Sequence, residues 1–405
     1  MKLDQGKSNK LFFWLFALSM VLALGVALMS GTSLRYEDER DYFALAQQMV
    51  QGHGYVTPAL QPTAYRPPGY PFLMTLFAGT EQGVLWLKIL NVVVLGISVW
   101  LMRALIARET PAVAWLAGAS LLVYPVWLYA ASTLYPQTLC MALMLGLICL
   151  LSRREASWRT FIFAGVVYGY LVLVAPSFQL LAPLFAAYVA FFGPFAWRRN
   201  VLSAIVFGLM TVATMSPWLV RNYQVFGQFV PVATNGGVNL LLGNSEFTRV
   251  NSGVDVDLTR YLQQTQGLDE VQSSKALQGF ATDWIKAHPM EAASLYVGKA
   301  LNYYNYHAEA ATSEQNAAWK DWLMFLTYYP MLAMVLARVW MVGRVPLSRS
   351  ERLLIGVYVI NGLLAALFFT RIRFRLPFDG LLMVLAIVSL GHFMQLRASK
   401  KSLKK

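Results

Sequence analysis

Long apolar runs, broken by short basic turns and two long polar loops, set the pattern of this chain. Runs of the length a bilayer-crossing helix needs, about 20 residues, fall near 11–30, 84–106, 112–131, 136–152, 160–176, 178–197, 200–219, 321–342, 353–370 and 376–396. About ten transmembrane helices are therefore expected, in an all-α polytopic membrane protein. The stretch 69–79 is apolar but too short to span, and reads as an interfacial helix of the first loop. The two long connections are 31–83 and 220–320; a third, 370–376, is short and basic. The second long loop turns helical from about Val271, where Ala276, Phe280, Trp284, Ile285 and His288 recur near helical spacing. Pro289 breaks that pattern, and Ala292, Leu295, Lys299 and Leu301 begin another amphipathic helix. The expected organisation is an N-terminal transmembrane module (1–220) carrying the first loop, a small helical cap (221–320), and C-terminal helices with a basic tail (321–405).

Composition sharpens this. Of 405 residues, 57% are hydrophobic and 13% charged, with mean hydropathy +0.50. One water-soluble core cannot bury that excess. A net charge of +13 would suggest nucleic acid in a soluble protein, but its distribution follows the positive-inside rule. With the N-terminus inside, the inner connections carry 19 basic and four acidic residues and the opposite face 14 and 16. No nucleic-acid partner is implied. The run Leu11–Met29 follows Lys2, Lys7 and Lys10 and lacks a clear small-residue cleavage site, so it reads as a retained first helix. Cys140 and Cys149 stand nine residues apart in one apolar segment, roughly 13 Å along a helix and too far for a disulfide. No phosphate-cradling glycine loop, zinc-ligand spacing or internal repeat occurs, and His53, His288, His307 and His392 have no ligand spacing.

Candidate chemistry therefore gathers on the outer face. Glu37, Asp38, Glu39 and Asp41 follow the first apolar run, at the start of a predicted helix through Gln51. Asp38 suits an N-cap and the positive end of a helix dipole. Crowded acids at a membrane boundary also raise a carboxylate's basicity, and such a group can deprotonate a hydroxyl acceptor. Arg66 precedes Pro67-Pro68 and is flanked by Tyr65 and Tyr70, a stiff setting suited to a phosphate, although snorkelling to lipid headgroups accounts for it too. Arg371, Arg373 and Arg375 lie where positive charge is disfavoured, and need an anionic partner: a phosphate, Asp379 or the acidic first loop. Arg221 and Asn222, with Gly236-Gly237 and Asn239 beyond them, mark a fourth cluster, for which a plain helix exit is an equal account.

Together these segments resemble the polyprenyl-phosphate-sugar-dependent glycosyltransferases of the C-type membrane fold, and among them bacterial relatives of the protein O-mannosyltransferases and the lipid A aminoarabinose transferase. Four stretches carry the resemblance: Asp38-Glu39-x-x-Tyr42 with Gly52-His53-Gly54-Tyr55; Pro62 to Pro71; Pro217-Trp218-x-x-Arg221-Asn222-Tyr223 with Thr234-Asn235-Gly236-Gly237, Asn239 and Gly243-Asn244; and Arg373-Phe374-Arg375-Leu376-Pro377. The chain departs from many relatives at Pro136-Gln137, where a glutamate is common, and at Ala175-Pro176, where an arginine is. The resemblance implies Asp38 as catalytic base with Glu39 beside it. It implies Arg66, Arg373, Arg375 and Arg221 around the donor phosphate, and Tyr42, Tyr65, Tyr70, Asn235 and Asn239 around substrate. It also implies a hexosyl or pentosyl transfer, inverting, from a polyprenyl-phosphate sugar to a lipid, glycan or protein acceptor in a bacterial inner membrane. No cofactor is required by this reading; a divalent ion between first-loop carboxylates and a donor phosphate is compatible with it. A transporter or flippase for lipid-linked saccharides, a ligase acting on them, and an inactive scaffold of the same fold are the rival readings. Against transport, the predicted helices carry almost no internal charge and the polar clusters share one face.

Overall fold

The computed structural model describes residues 5–153, 155–307 and 318–402; Lys2, Arg154, Lys404 and Lys405, counted above among the basic residues, lie outside them. Apart from an isolated bridge between Val56 and Pro62, the described residues form helices and loops. Helix α1 (Gln5–Ser30) leads into α2 (Glu37–Val50), an irregular loop and the six-residue α3 (Gly69–Met74). Then come α4 (Gly83–Glu109), a 3-10 segment (Pro111–Ala119), α5 (Ser120–Val123), α6 (Val126–Ala131), α7 (Gln137–Leu151) and α8 (Trp158–Val174). A second 3-10 segment (Pro176–Leu181) precedes α9 (Ala182–Phe192) and α10 (Trp197–Phe226). The second loop contributes α11 (Gly236–Gly243), α12 (Thr259–Gln264), α13 (Glu270–Ala287) and α14 (Pro289–Asn302). Helices α15 (Ala318–Trp340), α16 (Arg349–Ala365) and α17 (Ile372–Ser402) complete the chain.

Five helices among the described residues are long and apolar enough to cross a membrane, namely α1, α4, α10, α15 and α17. The expected count of ten is not reached by that measure, and prolines supply much of the reason. Pro111 and Pro125 break the run 112–131 into a 3-10 segment and two short helices, and Pro176 and Pro183 divide the run after α8. Helices α7 and α8 are apolar but only 15 and 17 residues long. The chain is a multi-pass membrane protein, and several of its apolar runs fold as short or broken helices.

Helix α17 is the axis of the packing. Every residue from Arg375 to Ser389 is buried, whereas α1 and α10 bury few of theirs, as lipid-facing helices do. Close helix contacts rest on small residues: a Cβ on Gly165 would lie 2.5 Å from the Phe207 carbonyl oxygen, and one on Gly169 2.7 Å from that of Thr211. Such approaches let α8 and α10 pack backbone to backbone. Helix α10 ends at Gly227, whose φ of +62° gives the left-handed turn that leads into the second loop.

Candidate active site

The acidic stretch after α1 folds as α2 because three carboxylates occupy its first turn, where the helix dipole favours them. Glu39 does the capping. It is buried, and its Oε2 accepts from the backbone N–H groups of Arg35 (2.7 Å) and Tyr36 (3.0 Å), while Oε1 accepts from Leu134 N–H (2.6 Å). Both its oxygens are thus engaged in holding α2 to the turn before α7. Asp38, one residue earlier, points instead into a partly open space.

There two distant arginines meet it. Arg66 Nη2 donates to Asp38 Oδ1 at 2.5 Å and to Asp41 Oδ2 at 2.8 Å. Arg373 Nη1 donates to Asp38 Oδ2 at 2.9 Å and to the Tyr135 hydroxyl at 3.0 Å, and that hydroxyl donates to Asp38 Oδ2 at 3.2 Å. The side chains of Asp38, Arg66 and Arg373 are 23%, 17% and 35% exposed, so water or a solute can reach them. Crowded acids at the boundary predicted a raised carboxyl. Burial does push Asp38 upward, but the guanidiniums of Arg373 and Arg66 and the hydrogen bonds of Arg66 and Tyr135 outweigh it, leaving Asp38 below the usual carboxylate range.

Arg66 rests on aromatic walls, 5.5 Å over Tyr42 and 5.2 Å over Tyr65. Tyr70 lies beneath, edge-on to Tyr42 and hydrogen-bonded with Asn91. The loop bearing Arg66 is pinned from the second long loop. Glu270, at the first turn of α13, accepts from Thr63 Oγ1 (2.6 Å), Ala64 N–H (2.8 Å) and Thr234 Oγ1 (2.6 Å), and Thr234 N–H donates to the Ala64 carbonyl (3.0 Å). Arg221 grips the other edge, donating to the carbonyls of Thr63 (2.8 Å) and Tyr55 (2.7 Å). Sequence reasoning missed Glu270. The Asp269–Gln272 capping box marks a helix start, but nothing local announces what its neighbouring acid reaches.

The predicted phosphate ligands therefore divide. Arg66 and Arg373 converge on Asp38. Arg221 is a loop clamp, and Arg375 is buried away from them, paired with Asp379 at 3.1 Å, donating to the carbonyls of Tyr303 and Asn305 and stacked 3.6 Å over Tyr328. Asp379 also accepts from Tyr124 at 2.7 Å. Arg371 pairs with Asp255 at 2.6 Å. A cavity of about 780 Å³ lies between α11, α13 and α14 and the ends of α16 and the second 3-10 segment, and its lining includes Thr234, whose N–H donates to the Ala64 carbonyl. Asn235 and Asn239, predicted at substrate, do not line it, although their neighbours Gly236, Gly237 and Leu240 do. Gly237 is needed there, since a Cβ would overlap the Ser274 carbonyl oxygen.

These groups do not fit a resident divalent cation. Among the described residues no three His, Cys, Asp or Glu side chains converge, and Asp38 and Asp41 are each already engaged by a guanidinium.

The fold and this cluster define a polytopic helical membrane protein with an arginine-bound carboxylate. No family model matches the sequence, and no curated protein matches it. Solved structures do match by shape. The archaeal oligosaccharyltransferase AglB from Archaeoglobus fulgidus, in complex with an inhibitory peptide and a dolichol-phosphate, superposes with TM-score 0.58 at 12% identity over 97% of this chain and 51% of that one. An Archaeoglobus fulgidus oligosaccharyltransferase tethered with an acceptor peptide gives 0.52 at 12%, over 94% and 49%. ArnT from Cupriavidus metallidurans bound to undecaprenyl phosphate gives 0.43 at 15%, over 93% and 76%. The chain spans about half the length of the two oligosaccharyltransferase chains and shares their fold.

Proposed function

We propose that this protein is an integral-membrane glycosyltransferase that moves a hexosyl or pentosyl group from a polyprenyl-phosphate donor to a lipid, glycan or protein acceptor, with inversion. The observation that carries the reading is the convergence of Arg66 and Arg373, from opposite ends of the chain, on the two oxygens of Asp38. Two guanidiniums fixed in a partly water-excluded space suit a phosphate whose charge grows as the sugar leaves. An acceptor hydroxyl attacks the anomeric carbon from the face opposite the phosphate. The carbon–oxygen bond to phosphate breaks with its electron pair on the phosphate, and Asp38 takes the hydroxyl proton.

Held by two arginines, Asp38 is a weak base. An incoming phosphate competes for those guanidiniums, so donor binding is expected to precede the proton transfer. The shared fold with a dolichol-phosphate-bound oligosaccharyltransferase supports a lipid-phosphate donor; the family resemblance supports the bacterial inner membrane, and the charge asymmetry of the loops supports a site on the non-cytoplasmic face. Glu39, Arg221 and Arg375 take positioning roles in this reading, and the arginine-lined carboxylate favours a transferase over a flippase. A product in cell-envelope glycan, lipopolysaccharide or glycosylated protein would follow.

The test is consumption of a polyprenyl-monophosphate sugar by purified protein. Asp38→Asn should lower turnover by about 10²-fold or more, in the range of general-base contributions, with donor binding retained. Equal turnover by wild type and Asp38→Asn would remove Asp38 from the mechanism, and no release of the lipid phosphate by the wild type with any sugar or acceptor would remove the transferase reading.

A further inference from the structure

Helix α14 carries an apolar stripe that the protein leaves uncovered. At about 100° per residue, Met290, Val297 and Leu301 fall on one side of the helix, and they are 81%, 57% and 71% exposed. The opposite side buries Ala292 and Lys299. Two contacts fix where the helix lies. Tyr296 donates its hydroxyl to the Leu363 carbonyl at 3.1 Å, and Lys299 Nζ donates to the carbonyls of Phe368 and Gly243, each at 2.7 Å. Leu363 is within one turn of the end of α16. It belongs to a second exposed apolar stripe, Val359, Leu363 and Leu367, spaced four residues apart and each more than 40% exposed.

Helix α16 covers most of the apolar run 353–370 expected to span, and an exposed apolar stripe on such a helix faces lipid. The stripe on α14 continues it at the level where α16 ends. A tyrosine at this junction suits the headgroup boundary, where its ring is apolar and its hydroxyl finds a partner. We infer that α14 is seated in the bilayer on the side that bears the long loops, with Met290, Val297 and Leu301 among the acyl chains near the headgroups. Its occupant is the membrane itself. Pro289, Ala292, Ala293 and Tyr296 of the same helix line the 780 Å³ cavity, so α14 forms a wall of that cavity next to lipid. This placement depends on the protein being membrane-embedded with α16 among its spans, not on the reaction proposed above.

Single cysteines at Met290, Val297 and Leu301, labelled with a polarity-sensitive dye in phosphatidylcholine–phosphatidylglycerol vesicles, test it. Lys286→Cys on the exposed face of α13 is the aqueous control, and wild-type protein, whose Cys140 and Cys149 are buried, sets the labelling blank. The three stripe positions should show blue-shifted emission, lose fluorescence to lipids carrying a shallow doxyl group and resist aqueous iodide, with the control behaving oppositely. Stripe dyes quenched by iodide like the control would overturn the inference. Dyes shielded from both quenchers would also overturn it, pointing to a second copy over the stripe, as would shielding lost at one protein per vesicle.

Discussion

Side by side, Arg371, Arg373 and Arg375 read as one basic cluster, yet each has its own carboxylate: Asp255, Asp38 and Asp379. Arg371 precedes α17 (Ile372–Ser402), while Arg373 and Arg375 sit in its first turns, where a step of two residues turns a side chain by about 200°, so those two cannot share a face as they would on a strand. Only Arg373 reaches the partly open cluster. Arg375 is buried because Asp379 stands one turn away and neutralises it within the helix packing. Lys299 is the other residue whose environment decides its behaviour. It is buried at the carbonyl ends of α11 and α16, and burial lowers its pKa from 10.5 to about 8. Below pH 8 it is protonated in both folded and unfolded chains. Between pH 8 and 10.5 the unfolded chain holds a proton that the folded one has released, so its contribution to stability rises with pH across that window. Thermal unfolding in detergent at pH 7.5 and 9.5 should show a larger gain for wild type than for Lys299→Met. The variant should also be less stable by about 1–3 kcal/mol, because two buried carbonyls lose their donor.

Among the elements, α13 does the most to join the two long loops. Its helical pattern was legible from Val271 onward, and Pro289 divides α13 from α14 as expected. The contact its first turn makes with residues 63 and 64 was not, because Glu270 is separated from them by more than 200 residues and no local periodicity records such a pair. Glu270→Ala removes the acceptor of the Ala64 N–H and of two threonine hydroxyls. Faster amide hydrogen exchange at residues 63–66 and 234–237 is the expected outcome, with Glu270→Gln closer to wild type since its amide oxygen still accepts from Ala64. Unchanged exchange in both variants would mean that Arg221, Tyr55 and the Thr234–Ala64 bond hold the loop without Glu270. The short helices teach a related lesson. Hydropathy located the apolar runs at 112–131 and 178–197, but the prolines at 111, 125, 176 and 183 shape how those runs fold.

For the whole molecule, charge makes the strongest statement. On the expected topology, nineteen basic and four acidic residues fall on one set of connections against 14 and 16 on the other, which predicts both long loops on the same side. The structure brings those loops into contact, as Glu270, Thr63 and Thr234 require. Single cysteines at Leu60 and Lys286 should react with a membrane-impermeant maleimide on intact cells, while cysteines at Glu155 and Arg344 should react only after permeabilisation. Labelling of all four positions in intact cells would refute this topology.

By itself, the sequence determined that the protein lives in a membrane and which loops share a face, and it marked the first-loop acids, Arg66 and the late arginines as candidates for chemistry. Those properties follow from composition and local periodicity, which hydrophobic burial and the membrane's charge asymmetry act on directly. Only the tertiary structure decided which arginines meet Asp38, that Glu39 is consumed in capping α2, and that Asp38 lies low rather than high on the carboxylate scale. Pairing depends on which side chains the packing brings within about 3 Å, and burial and neighbouring charge act on a carboxyl only once that packing exists. The acidic stretch after the first helix thus resolves into one carboxylate, Glu39, that holds α2 in place and one, Asp38, that meets two arginines.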